Sequence, residues 1–270
     1  MIGKIFSRGY LLLLLTMLYA PIVVIAVFSF TEAKVLGNWT GFSTGIYESL
    51  FSGKNVLIMK SIENTLVIAV IAAAIATVLG SIAAIGIYNM RHRQRRIISF
   101  VNNIPMLNPD IITGVSLFLL FVFMGFTQGY TTVTLAHVTF CTPYVVLSVM
   151  PRLMQMNPNI YEAALDLGAT PFQALRRVII PEIRPGMISG FILSFTLSID
   201  DFAVTYFTKG SIGLETISTQ IYADSRKGGL SPEWRALSTI IFIAVLLLLL
   251  IINYRSMKRA HAQQSAVRSK

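Results

Sequence analysis

Glu162-Ala163-Ala164-Leu165-Asp166-Leu167-Gly168, followed by Val178-Ile179-Ile180-Pro181, is a polar island between two apolar runs of membrane length. A short ordered insert in so hydrophobic a chain has a job beyond connection. Asn157 can cap a helix, and Pro158 suits its first turn. Gly168 then supplies a stop, Thr170 a second cap and Pro171 a second first-turn proline. The second helix is expected to run through Arg176 and Arg177 until Pro181 breaks it. Two short helices joined by a glycine make a compact knob on one membrane face, of a shape suited to a groove on a soluble partner.

Composition sets the class. Of 270 residues, 54% are hydrophobic and 13% charged, where a soluble domain carries about a quarter charged. Several apolar runs exceed the roughly 18 residues that mark a spanning helix. The chain is read as an all-α polytopic membrane protein with six spans, near 10–30, 65–88, 104–125, 131–150, 186–207 and 236–254. The first is taken as an uncleaved span, because its apolar run continues from Tyr10 to Phe30 and Pro21 follows Ala20 where a cleavage site would fall. No linker or low-complexity segment divides the sequence, so residues 1–270 are expected to form one integral membrane domain.

Charge gives the orientation. About two-thirds of the 22 Lys and Arg fall in the amino-terminal tail, the 91–96 loop, the 151–185 loop and the tail after 253. The positive-inside rule puts these segments, both termini included, in the cytoplasm. The net charge of +10 is then a topology signal. Arg91-His92-Arg93-Gln94-Arg95-Arg96 abuts a span, so it is read as contacting lipid headgroups and not nucleic acid. Cys141 is the only cysteine, which excludes an intrachain disulfide and a thiol-built metal site.

The spacing of Glu162-Ala163-Ala164, a glycine six residues on and a proline nineteen on resembles the "EAA" loop of binding-protein-dependent ABC importer permeases. Val178 and Ile180 depart from the usual isoleucine and leucine but keep their apolar character. The resemblance implies a type I importer architecture in which loop 157–184 enters a cleft of a separate ATPase. Glu162, Ala163, Ala164, Gly168, Arg177 and Pro181 would carry that coupling. Arg176 and Arg177 fit interfacial topology charges equally well. The chain contains no Gly-x-x-x-x-Gly-Lys-Ser/Thr motif, and its soluble segments are too short for a nucleotide-binding domain. It is read as a transport subunit and not an enzyme.

Three acids fall within the expected spans: Asp110, Asp200 and Asp201. No basic residue accompanies them there, so no ion-pair partner is evident, and an unpaired aspartate at mid-bilayer costs roughly 2.5–3.5 kcal/mol. Ser194, Ser198, Asp201 and Thr205 recur as one polar stripe on the fifth span. Asp200 is turned about 100 degrees away. Asp201 lies roughly 22 Å along the helix from Gly186, on the outer side of the bilayer. These residues are read as a pathway for a cation. Asp110, after Asn108-Pro109, is either a helix cap at the interface or a substrate contact. His137 and Cys141, one turn apart, either line the pathway or pack between helices.

Asn108-Pro109-Asp110-Ile111, His137-Val138-Thr139-Phe140-Cys141-Thr142-Pro143 and Ser194-Phe195-Thr196-Leu197-Ser198-Ile199-Asp200-Asp201 resemble spermidine/putrescine importer permeases of the PotC type. This implies polyamine cargo, a second homologous permease subunit, two ATPase subunits, an extracytoplasmic polyamine-binding protein and a place in the inner membrane amid lipid. It implies no cofactor on this chain, with ATP and Mg used by the partner ATPase. An importer of another cation or organic solute, an ion-gradient-driven transporter and a membrane scaffold are the other readings.

Overall fold

In a computed structural model, the structure describes residues 2–33, 37–52, 55–211, 213–227 and 230–247. Every regular element among them is helical. In chain order these are α1 (Ile2–Phe28), α2 (Gly45–Phe51), α3 (Val56–Tyr88), α4 (His92–Leu107), α5 (Asp110–Phe123), α6 (Tyr130–Gln155), α7 (Ile160–Asp166), α8 (Pro171–Ala174), a π-helical turn (Leu175–Ile179), α9 (Ile180–Asp200), α10 (Ala203–Thr208) and α11 (Ile217–Arg226). Residues 233–247 are helical as well. Among the described residues, four stretches are long and apolar enough to cross a membrane: Gly9–Phe28, Val56–Tyr88, Tyr130–Gln155 and Pro171–Asp200. The sixth expected span, 236–254, lies partly outside the described residues.

The third expected span, 104–125, is not one rod. It breaks at Asn108-Pro109, and α4 and α5 meet at a bend of 103°. Pro109 has no N–H to donate and holds the residue before it out of the α region, so the helix ends at Leu107 and restarts at Asp110. Residues 104–107 therefore belong to α4.

Two compact units share the chain, Leu57–Gln220 and the pair Met1–Val56 with Ile221–Lys270. In the second, Trp234 Nε1 donates to Asp224 Oδ2 at 2.7 Å, and Ser49 Oγ donates to Glu233 Oε1 at 3.1 Å. The buried Arg235 guanidinium donates to the Ala33 carbonyl. The α1 side chains from Gly9 to Phe28 are largely exposed within this chain.

The first unit is built on small residues. α3 buries a stripe of alanines, Ala69, Ala72, Ala73, Ala76 and Ala84, all fully covered. Lipid tails are as apolar as leucine, so helices in a membrane gain from close backbone approach and not from hydrophobic contrast. Val145 of α6 sits where that approach is tightest. A Cβ built on Gly80 of α3 would stand 2.6 Å from Val145 Cβ, and one on Gly190 of α9 would stand 3.2 Å from Val145 Cα. One turn earlier on α9, a Cβ on Gly186 would lie 2.9 Å from the Ser148 carbonyl oxygen. These neighbours are backbone or β-carbon and cannot swing aside. Gly80→Val is expected to destabilise the bundle by about 1–3 kcal/mol, the usual range for overpacking. A thermal melt of the purified protein in detergent reads this, and an unchanged midpoint would mean α3 and α6 part freely.

Candidate functional site

Two regions of the larger unit hold the residues singled out by sequence. The first is the knob. α7 begins at Ile160, two residues later than the Asn157 cap implies, because Asn157 Oδ1 accepts the N–H of Asn159 at 3.0 Å and makes a turn ahead of the helix. Gly168 ends α7 in the left-handed region at φ +86°. There its N–H reaches the Leu165 carbonyl at 2.8 Å, and the Ala169 N–H reaches that of Ala164 at 3.1 Å. These bonds satisfy the last carbonyls of a helix that would otherwise need water. Thr170 Oγ1 accepts from the Gln173 N–H at 3.3 Å, and Gln173 Oε1 accepts from the Thr170 N–H at 3.0 Å, a complete capping box.

The second helix does not stop at Pro181. It passes through the π-helical turn straight into α9, so Pro171–Asp200 is one helical stretch of 30 residues. Ile180 donates its N–H five residues back, to the Leu175 carbonyl. The widened turn makes room for the ring of Pro181, which has no N–H and would clash with the preceding turn of an α-helix. The break expected at Pro181 is thus a change of pitch.

On the knob's surface, Glu162, Ala163, Gly168, Arg177 and Pro181 are exposed, and Ala164 is half-buried. Leu167 is 90% exposed and Phe172 68% exposed. Phe172, Gln173, Arg176 and Arg177 surround a cavity of about 520 Å³. The inner side is fixed: Ala174, Ile179 and Ile183 are buried, and Ile160, Tyr161 and Leu175 pack on a cluster with Ile87, Leu153 and Met156. The knob is therefore packed against the ends of α3 and α6.

The second region lies where the fifth span fails to be one helix. The expected continuous stripe through Asp201 is broken. α9 ends at Asp200, Asp201 is extended at φ −64° and ψ 133°, and α10 starts at Ala203. The carboxylate of Asp201 accounts for this. Its Oδ1 accepts from the Val204 N–H at 3.2 Å, and its Oδ2 accepts from the Thr205 N–H and hydroxyl, each at 2.8 Å. It supplies the acceptors that the open start of α10 requires.

Asp201 also has a partner that sequence did not supply. Nε2 of His137, on α6, is 3.4 Å from Asp201 Oδ2 and 2.9 Å from Thr205 Oγ1. The Thr205 hydroxyl gives its one hydrogen to Asp201, so toward His137 it accepts, and Nε2 carries the ring hydrogen. Nδ1 of the same ring is 2.6 Å from Ser198 Oγ. His137, Ser198 and Thr205 are buried, and the Asp201 side chain is 6% exposed. Ser194, one turn earlier, is fully buried; its carbonyl accepts from Cys141 Sγ, and its Oγ is without a hydrogen-bond partner among the described residues. Three of the expected polar residues, Ser198, Asp201 and Thr205, thus join His137 at one place. They form a closed knot and not an open lining.

Asp200 and Asp110 lie outside that knot, and both are exposed within this chain. Asp200 closes α9. Phe202 and Tyr206 stack beside it in sequence with ring centroids 5.4 Å apart. Asp110 stands in the first turn of α5, where a negative charge suits the helix dipole.

A family model for binding-protein-dependent transport system inner membrane components matches residues 76–262. The chain belongs to this family. The permease is therefore an inner-membrane transport component and not an enzyme. It is 36% identical over 250 residues to the spermidine/putrescine transport system permease protein PotC of Escherichia coli K12, covering 93% of both chains. It is 39% identical over 242 residues to the putrescine transport system permease protein PotI of the same strain, covering 87% of this chain and 85% of that one. Among solved structures it resembles a chain of a bacterial ABC transporter that imports alginate, with a TM-score of 0.70 at 16% identity over 94% of this chain and 96% of that one. A chain of the MetNI methionine ABC transporter aligns with a TM-score of 0.58 at 20% identity, over 76% of the permease and 96% of that chain. The permease has the type I ABC importer architecture expected from the EAA loop.

Proposed function

We propose that the permease imports polyamines of the spermidine/putrescine class, driven by ATP hydrolysed on partner subunits. The observation that carries this is its likeness along most of its length to two polyamine permeases, at 36% and 39% identity. The exposed acids fit a cationic cargo: Asp200 and Asp110 have no basic neighbour in sequence. Residues 1–270 act as one membrane domain, with both termini and the knob in the cytoplasm, in keeping with the distribution of Lys and Arg.

The working complex holds a second, similar permease, two ATPase subunits and an extracytoplasmic polyamine-binding protein. ATP and Mg belong to the ATPases, and this chain binds no cofactor. Loop 157–184 seats in the ATPase through Glu162, Ala163, Ala164 and Gly168, with Arg177 beside the Phe172 cavity and Pro181 at the change of pitch. On the cargo side, Asp200 and Asp110 meet the cation, while Asp201 and Ser198 hold the neighbouring backbone through Thr205 and His137.

The test is ATP-dependent uptake of labelled spermidine into proteoliposomes that hold the complete complex. Asp200→Asn is expected to lower uptake about tenfold, the order of one lost charge-assisted contact, with assembly unchanged. Thr196→Val, on the same side of α9, should cost less than a factor of about two. An assembled, ATP-hydrolysing complex that takes up no polyamine would reject the cargo and leave the importer architecture standing.

A further inference from the structure

α9 and α10 are separate helices that share α6 as a support, and α10 rests on α5 as well. α9 lies on α6 through Gly186 and Gly190. α10 lies on α5, where a Cβ on Gly114 would be 3.1 Å from the Ala203 carbonyl oxygen and from Val204 Cα. The far end of α10 is held by Thr132 of α6, whose hydroxyl donates to the Thr208 carbonyl at 2.8 Å. Between the two helices, Asp201 and Phe202 belong to neither. At this joint the Asp201 carboxylate is enclosed and its neighbour Asp200 is exposed.

One side chain bonds to both sides of the joint. His137 reaches Ser198 in the last turn of α9 through Nδ1, and Thr205 in the first turn of α10 through Nε2. Both distances are below 3 Å, and the three residues are buried. With the ring in place, Asp201 faces inward onto Thr205 and His137, and Asp200 faces outward. Without it, Ser198 and Thr205 lose their shared partner, and the joint is left to the bonds from Val204 and Thr205 to the Asp201 carboxylate.

We propose that His137 is a positioning residue for cargo recognition: it sets the joint at Asp201-Phe202 and so presents the Asp200 carboxylate to the passing cation. His137 itself meets no cargo. This rests on the polyamine reading for its transport readout alone.

The experiment is a double-mutant cycle on the complete complex in proteoliposomes, with a distance measurement beside it. His137→Ala is expected to lower spermidine uptake about tenfold in the wild-type background and less than about twofold in the Asp200→Asn background, since residues that act through one another are non-additive. His137→Gln, which can keep one of the two bonds, should fall between wild type and alanine. Spin labels at Thr196 and Ser211, both exposed and on opposite sides of the joint, should give a narrow distance in the wild type and a broader one in His137→Ala. Ser198→Ala removes one arm of the bridge and takes the place of His137→Ala if that variant fails to assemble. Equal fractional losses in both backgrounds, or an unchanged distance distribution, would overturn the proposal. The distance does not depend on which solute is carried, so a wrong cargo and a wrong role for His137 give different results.

Discussion

Gly168→Val should lower ATP-driven uptake about tenfold while the spans remain folded, because the fault it introduces is confined to the backbone of the knob. Gly168 holds φ at +86°, a conformation that costs an L-residue about 1–2 kcal/mol and a β-branched one more. A Cβ at this position meets nothing within 4 Å, so crowding plays no part. To relieve the strain the chain must leave the left-handed turn, and the bonds from Gly168 and Ala169 back to Leu165 and Ala164 go with it. α8 would then leave α7 in a different direction, and the exposed Leu167 and Phe172 would no longer be presented together. Substitutions should rank by tolerance of positive φ: asparagine retains the most activity, alanine less and valine least. Co-purification of the ATPase with each variant locates the damage. Equal uptake by all three would show that the turn does not shape the docking surface.

Asp201→Ala is expected to cost both stability and transport. The change leaves the N–H groups of Val204 and Thr205 and the Thr205 hydroxyl without their acceptor, in a place where water does not replace it. Each buried orphan costs about 1–3 kcal/mol, so a loss of about 3 kcal/mol or more is expected. Uptake should fall to background as α10 loses its start. Asp201→Asn keeps one carbonyl oxygen but turns a donor toward groups that already donate, and should lie between alanine and wild type. Asp200→Asn is the contrast, lowering transport without moving the thermal midpoint. If the two asparagine variants prove equally stable and equally slow, the capping role of Asp201 falls and both acids face the cargo.

Much of this was legible in residue types and spacing. The spans follow from apolar runs, and the knob from Gly168 together with the Thr170–Gln173 box, whose two reciprocal bonds are local in sequence. What sequence hid are the interruptions. Ser194, Ser198, Asp201 and Thr205 fall at helical spacing whether or not the helix persists, so periodicity could not distinguish a stripe from a capped break. An aspartate that accepts from amides three and four residues ahead is a helix-start signal, but here it follows a second aspartate in the same apolar run, which concealed it. His137 stands out in the sequence only beside Cys141, because its partners are 61 and 68 residues away and no local pattern carries that distance. Proline inside a helix usually ends it, so Pro181 reads as a stop. Ile179 in the π-helical turn that absorbs it, and Ile183 just after, pack with Ile87, Leu153 and Met156, contacts that no local pattern carries. At Asn108-Pro109 the irregular turn was visible, but the 103° change of direction was not.

Because α8, the π-helical turn and α9 are continuous, the permease has a lever where the sequence predicts a helix broken at Pro181. Its 30 residues span about 45 Å at helical rise. Its tightest seating on α6 is at Gly186 and Gly190, which makes these glycines the natural fulcrum. The handle from Pro171 to that seat is about 26 Å long and the arm from there to Asp200 about 18 Å. A rigid rocking motion would therefore deliver about two-thirds of any sideways push on the knob to the end that carries Asp200, in the opposite direction. Inserting a flexible joint just before Pro181 should leave both ends intact and remove the transmission between them.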